Sequence, residues 1–299
     1  MSILVLGTAA LDTVRTPSGV RKKMLGGSAV HFAMSARLFT QVHLVAVVGA
    51  DFPQAYVRFL KRRGIILDSL LRAGGKTFHW AGEYQGDLNT AITRKTELGV
   101  LAAFCPVITS GQKSIKNVFL ANVDPDIQKS LLERMDAPRL IALDSMNYWI
   151  QNKRRSLLRM LKRVTIYVAN DQEARSLTGE GNLLNAAQAL LRMGPAMVLI
   201  KKGEHGVIFC SNKYMFSLPA FPTQRVIDPT GAGDTFAGGF MGYLARVNKL
   251  DDKAIKQALV YGTIAASFNV EAFGPERTSL LTMKDLGDRL QKYRQIVLF

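Results

Sequence analysis

The chain has 299 residues, 48% hydrophobic and 21% charged, the balance of an ordinary globular protein long enough to bury a sizeable core. No apolar run approaches the roughly 18 to 20 residues that span a bilayer, and its two cysteines, Cys105 and Cys210, lack metal-ligand spacing, which argues against a disulfide framework and for a reducing, cytoplasmic setting. Lys and Arg outnumber Asp and Glu by 39 to 23, a net charge of +16, but the basic clusters are dispersed and accompany no nucleic-acid-binding motif, so they read as solvated surface helped by an anionic substrate.

The first apolar run, Ile3–Gly7, reads as a strand and not as a secretory leader. A polar, turn-like stretch, Thr13–Lys23, follows, then a helical pattern over Ser28–Phe39, a strand over Val42–Val48 and a helix over Gln54–Arg63. Lys76–Thr96 breaks this rhythm: it alternates as K-T-F-H-W-A-G-E-Y, with Phe78, Trp80 and Gly82 on one face, the pattern of antiparallel strands. Strands are then expected at Asn117–Leu120, Leu140–Leu143, Thr165–Ala169, Met197–Lys201 and Val207–Cys210. Most are Val, Ile and Leu without polar alternation, as in parallel strands buried on both faces. Helical patterns lie between the later strands at Lys153–Lys162, Gln172–Leu177 and Leu183–Arg192.

After Gly231 the pattern becomes helical, through Phe240–Arg246, Asp252–Phe268 and Leu281–Gln295, with Thr282 and Asp285 spaced as a cap. The alternation predicts an α/β fold with a parallel sheet between helical layers. The two non-conforming insertions, at about 12–24 and 76–100, predict a small β-sheet lid over an active site; an edge ribbon whose aromatics merely pack is the plainer reading. With no repeat or long linker, 1–299 reads as a single domain.

The stretch D-P-T-G-A-G-D-T-F-A-G-G-F occupies residues 228 to 240. Glycines allow a tight turn and close approach of a ligand. If a helix begins here, its unpaired N–H groups and positive dipole end meet at one point, a site for a phosphoryl group. Asp234 then stands where a carboxylate can take the proton of an incoming hydroxyl. A Gly-x-Gly before a helix is common and Asp is a favoured N-cap, so G-A-G-D alone would carry little. It is neither a P-loop nor a dinucleotide fingerprint, since Phe236 stands where the third glycine belongs.

The whole thirteen-residue stretch resembles the second motif of the ribokinase/PfkB carbohydrate kinase family. L-G-G-S-A at 25–29 is similar to that family's N-terminal Gly-Gly motif, V-V-G-A-D-F at 47–52 to its V-G-x-D element, N-D-Q-E at 170–173 to its Asn-x-x-Glu motif and K-K-G-E-H-G at 201–206 to its nucleotide-side turn. The resemblance implies a ribokinase-like three-layer α/β/α fold with a lid. It implies Asp234 as base, with the amides of Gly231, Ala232 and Gly233 as anion hole. On the acceptor side it points to Asp12, Gly26, Gly27, Ser28, His31, Asn122 and Asn147, with Phe78 and Trp80 from the lid. On the nucleotide side it points to Asn170, Glu173, Lys201, Gly203, Gly206 and Thr230. ATP and Mg²⁺ are the implied cofactors, Asn170 and Glu173 holding Mg²⁺ mostly through water; Asp228 and Thr230 resemble a potassium site.

Plainer roles stand beside these. Asn170 and Glu173 also fit a capping box, Lys201 a strand-end surface lysine, and His31, aligned where many members carry Asn, a core histidine. The substrate half departs most from the pattern: Phe52-Pro53 replaces Phe-Gly, and no arginine follows Asn147. The expected activity is ATP-dependent phosphorylation of a hydroxymethyl group on a sugar, or on a nucleoside stacked against Phe78, Trp80 or Tyr84. A phosphosugar would be the acceptor if Arg21, Lys22 or Arg94 reaches the pocket. The alternative from another class is a catalytically silent binding protein. Neither nucleic acid nor membrane is an expected partner, and pairing through the lid would make a homodimer.

Overall fold

The computed structural model describes residues 1–86 and 88–297; residue 87, inside the second lid insertion, and the last two residues lie outside the described residues. Thirteen strands form, β1 (Ser2–Leu6), β2 (Ala10–Thr16), β3 (Gly19–Gly26), β4 (Gln41–Val48), β5 (Ile66–Arg72), β6 (His79–Tyr84), β7 (Ala91–Glu97), β8 (Asn117–Leu120), β9 (Leu140–Asp144), β10 (Ile166–Asn170), β11 (Met197–Lys201), β12 (Val207–Ser211) and β13 (Met215–Leu218). The helices are α1 (Ser28–Ala36), α2 (Gln54–Arg62), α3 (Ser110–Lys113), α4 (Pro125–Leu132), α5 (Asn147–Asn152), α6 (Arg154–Leu161), α7 (Asp171–Thr178), α8 (Leu183–Arg192), α9 (Ala232–Val247), α10 (Asp252–Asn269) and α11 (Met283–Val297).

Nine strands make the main sheet in the order β13-β12-β11-β10-β9-β8-β1-β4-β5. It is parallel except where β12 and β13 return antiparallel. Side chains alternate between two cores. Ile3 and Val5 of β1 face the one shared with α1, α9 and α10, while Leu4 and Leu6 face the one shared with α4, α6 and α8. This is the expected ribokinase-like α/β/α sandwich, and it explains the unalternating apolar strands, which are covered on both faces.

The lid is a second, four-stranded sheet, ordered β3-β2-β6-β7. Two antiparallel hairpins, β2–β3 and β6–β7, join through parallel pairing of β2 with β6. Its inner face places Val14 and Tyr84 against Phe273, with Met24, Trp80 and Ile227 beside them.

Several elements depart from the sequence reading. β5 and β13 lie outside the predicted strands, because Asp68 interrupts one and the other is an edge strand, largely exposed and broken by Ser217. Helix α4 begins on Pro125 at its first turn under an Asp124 cap, a start signal that the reading passed over. α9 begins at Ala232, eight residues before Phe240, despite three glycines that disfavour helix. Those glycines serve contact: a Cβ on Gly238 would strike the Phe32 carbonyl of α1, and one on Gly239 would lie 2.9 Å from the Tyr261 carbonyl oxygen of α10.

Candidate active site

Strands β9, β10 and β11 run parallel and end together at Asp144, Asn170 and Lys201, with Asn170 opposite Lys201 in register. The crevice beyond the carboxyl ends of such strands is where open α/β sheets bind ligands. Into the same edge comes the start of α9. Gly231 caps it in the left-handed region (φ 73°), which favours glycine, and Asp234 occupies the third position of the first turn.

The turn is held from below. Asp228, fully buried, accepts from the Thr230 N–H at 2.9 Å and the Gly274 N–H at 3.0 Å. Asn269, also fully buried, donates to the Thr230 carbonyl at 2.8 Å and accepts from the Thr235 hydroxyl at 2.9 Å. His31 lies under the turn, where a Cβ on Gly231 would strike its ring, and its Nδ1 pairs with Asn269 Oδ1 at 3.1 Å. Burial lowers its pKa, so the imidazole is neutral and meets Asn269 through an Nδ1–H. His31 is 1% exposed and its Nε2 is buried without a partner, so packing under the turn and contact with a ligand both fit it. Thr235 lies within the 228–240 stretch without a role of its own there, and Asn269 carried no signal in the sequence.

Of the three amides expected to form the anion hole, Ala232 N–H donates to the Pro229 carbonyl at 3.1 Å. It is thus engaged within the turn. The N–H groups of Gly231, Gly233 and Asp234 have no acceptor among the described residues and are free to meet an anion. The Asp234 carboxyl is pushed up from 3.8 to about 7, first by burial and then by Asp144, while Lys201 works in the opposite direction.

On the acceptor side, Asp12 lies against Gly26 and accepts from the Gly27 N–H at 3.1 Å. Its other oxygen is buried without a partner. Burial raises its pKa to about 7, with Asp228 and Asp234 near enough to add to the effect. Ser28 is spent on structure: its hydroxyl and amide both bond Thr8, locking β1 to α1. Asn122 is held by the indole N–H of Trp149 at 2.9 Å and donates to Met146 Sδ, while Asn147 begins α5 with a buried, unpartnered Oδ1. Phe78 precedes β6 and packs on the main core, not on the lid face. Trp80 does lie on that face, folded across Gly82 with its N–H on Thr93. Tyr84, from the same face, meets the Thr230 hydroxyl at 3.4 Å.

On the nucleotide side, Asn170 and Glu173 form a reciprocal capping box, both bonds 2.7 Å. Glu173 is pushed up to about 8 by burial, then by Asp144. Lys201 is no surface lysine: its Nζ sits 2.8 Å from Asp144 Oδ2 and 2.8 Å from where a Cβ on Gly233 would stand. Burial works to lower its pKa, but Asp144 and Glu173 together hold it above the usual range. Gly203 and Gly206 turn the chain with positive φ (55° and 86°), and a Cβ on Gly206 would strike the Leu218 carbonyl. The β6–β7 loop reaches this turn, Asn89 donating to Glu204 at 2.9 Å and Thr90 accepting from Gln172 at 3.1 Å. The lid therefore straddles both halves of the site. Among the described residues no group of three or more His, Cys, Asp or Glu is arranged to hold a metal ion, and no helix is long and apolar enough to cross a membrane.

Comparison with known proteins agrees with this geometry. Residues 3–282 match the model of the pfkB family carbohydrate kinases. A cytidine kinase of Thermococcus kodakarensis is 32% identical over 260 residues, covering 84% of this chain and 91% of that protein. The fold superposes on the nucleoside kinase of Methanocaldococcus jannaschii, an archaeal member of the ribokinase family, with a TM-score of 0.78 at 23% identity, covering 97% of this chain and 98% of that one. It also superposes on an E. coli protein solved with ATP and Mg²⁺, with a TM-score of 0.80 at 17% identity and coverage of 97% and 99%. The chain belongs to the pfkB family of carbohydrate kinases and is a phosphotransferase with an alcohol group as acceptor.

Proposed function

We propose that the enzyme transfers the γ-phosphoryl group of ATP to the hydroxymethyl group of a nucleoside, with a free sugar as the competing acceptor. The observation that carries this reading is the pairing of an Asp234 carboxyl near pKa 7 with the unengaged amides of Gly233 and Asp234 at one helix start. Asp234 takes the proton of the acceptor hydroxyl, the freed oxygen bonds to the γ-phosphorus, and the bond to the ADP oxygen breaks. The amides and the helix dipole meet the charge on the phosphoryl oxygens, where positioning and electrostatics supply most of the catalysis. The unpartnered Asp12 oxygen is suited to accept from a sugar hydroxyl.

The nucleotide would lie along Asn170, Glu173, the Gly203–Gly206 turn and Thr230. Glu173 spends one oxygen on the Asn170 amide, which would leave the other for a water of Mg²⁺, a cation that keeps several waters. Bound there, the cation would neutralise phosphate charge; the E. coli neighbour's ATP and Mg²⁺ support that cofactor pair. Asp228 and Thr230 would be the ligands of a monovalent cation if turnover depends on K⁺; in the structure the Asp228 oxygens accept from the Thr230 and Gly274 amides and the Thr230 carbonyl from Asn269.

A nucleoside is favoured over a plain sugar by Trp80 and Tyr84 on the lid's inner face and by the relative named as a cytidine kinase. A phosphosugar is the alternative acceptor: Arg21 lies over Phe273, beside the lid's inner face, at 4.9 Å, whereas Arg94 pairs with Glu83. A panel of cytidine, other nucleosides, ribose, fructose and phosphosugars, read through coupled ADP release with Mg²⁺ and with or without K⁺, tests the proposal. A nucleoside should exceed the free sugars in kcat/KM by about tenfold or more, since buried polar groups left unpaired discriminate strongly. Turnover confined to a free sugar or a phosphosugar overturns the acceptor assignment.

A further inference from the structure

Asp144 stands outside every role assigned so far, yet it is 4% exposed at the floor of the site, where no carboxylate would be buried without cause. Its Oδ2 holds Lys201 Nζ at 2.8 Å, and the two side chains are 5% and 17% exposed. Register explains the meeting. β9 and β11 flank β10 in parallel, so residues ending the three strands project at one edge. Lys201 is thereby pinned against the backbone of Gly233, in the turn whose amides form the anion hole. Glu173 and Asp234 lie near enough for both to feel its charge. One ammonium is thus shared among three carboxylates.

A pair built only for stability is a weak explanation. Buried ion pairs often gain nothing over apolar residues of similar size, and this one occupies space directly beside the transferred group's path. An ammonium clamped at one end can meet a phosphoryl oxygen at the other. We propose that Lys201 is a catalytic residue that contacts the transferred phosphoryl group, and that Asp144 is the positioning residue that aims it. The inference rests on the kinase reading, and wild-type turnover run alongside tests that reading on its own.

The test is steady-state kinetics on Lys201→Met, Asp144→Asn, Lys201→Arg and the double variant Asp144→Asn/Lys201→Met, with the best acceptor of the panel and MgATP. Losing Lys201 alone strands a buried carboxylate and threatens folding. The double variant removes both charges with side chains of similar size, so it keeps the fold, checked by thermal melting. In it kcat should fall by about 100-fold, the loss typical of one preorganised donor to a developing charge, with acceptor KM within about threefold. Calorimetric affinity for ADP, which lacks the transferred group, should hold within the same margin. Because Asp144 raises and Lys201 lowers the Asp234 pKa, their joint removal should leave the acid limb of the kcat/KM profile nearly in place. Lys201→Met alone should move that limb upward, Asp144→Asn alone downward, and Lys201→Arg should retain more turnover than Lys201→Met. A double variant with near-wild-type kcat, or with its loss in ADP affinity, overturns the proposal.

Discussion

Asp234 sits where two influences oppose. The start of a helix favours a carboxylate by roughly 0.3–1 kcal/mol, whereas a rise from 3.8 to about 7 is several times larger at about 1.4 kcal/mol per pH unit. Burial wins, and the outcome is a base poised near neutrality, where proton abstraction is most effective. Asp234→Asn keeps the shape and removes the proton acceptor. Its kcat should drop by about 10³-fold, within the range for general-base catalysis, while calorimetric affinity for ATP stays within a few-fold. Near-normal turnover in that variant would disprove the assignment. In the free enzyme the base must be ionised, so kcat/KM should be full above about pH 8 and decline as pH falls through about 7. A profile flat from pH 5 to 8 would remove Asp234 as the titrating group.

Among elements, α9 carries the site, and its placement depends on glycines that look like helix breakers. Gly238 and Gly242 let it approach α1, the latter leaving only 2.9 Å between a would-be Cβ and the Ala36 Cα. Gly238→Ala should gain up to about 1 kcal/mol in helix propensity and lose about 3 kcal/mol, the upper end of overpacking costs, against the Phe32 carbonyl. The net loss should appear as a lower urea midpoint at unchanged slope, and the displaced helix start should cut kcat as well. These residues also show what a sequence can reveal. Buried strands such as β1 and β11 announce themselves as apolar runs, and the Gly231–Asp234 turn by its glycines and acid. The first half of α9 is legible only through that turn, because its own composition answers to packing and not to propensity. Asp144 is hidden for another reason: a lone acid after an apolar run has no signature until parallel register brings it beside Lys201. Phe78 and Trp80 share a face in an ideal strand, but β6 begins only at His79, which sends Phe78 to the main core.

Over the molecule as a whole, the buried carboxyls couple stability to pH. Asp12 and Asp234 are raised from 3.8 to about 7, and Glu173 from 4.5 to about 8. Between about pH 4 and 8 the folded protein therefore binds protons that the unfolded chain has released. Stability changes with pH as the protons bound by the unfolded state minus those bound by the folded one, so here it falls as pH rises. The contribution is fully present below about pH 4 and is lost as pH climbs through 7 to 8, the reverse of the usual salt-bridged carboxylate. The unliganded protein should melt at a higher temperature at pH 5.5 than at pH 8. Glu173→Gln should narrow that gap, since it removes one of the raised groups and keeps an oxygen for the Asn170 amide. Asp12→Asn should narrow it too, by removing one of the three groups while leaving its bond from the Gly27 amide. Differential scanning calorimetry across that range is the measurement, and a melting temperature that rises from pH 5.5 to 8 would show that these carboxyls are not held protonated in the folded state.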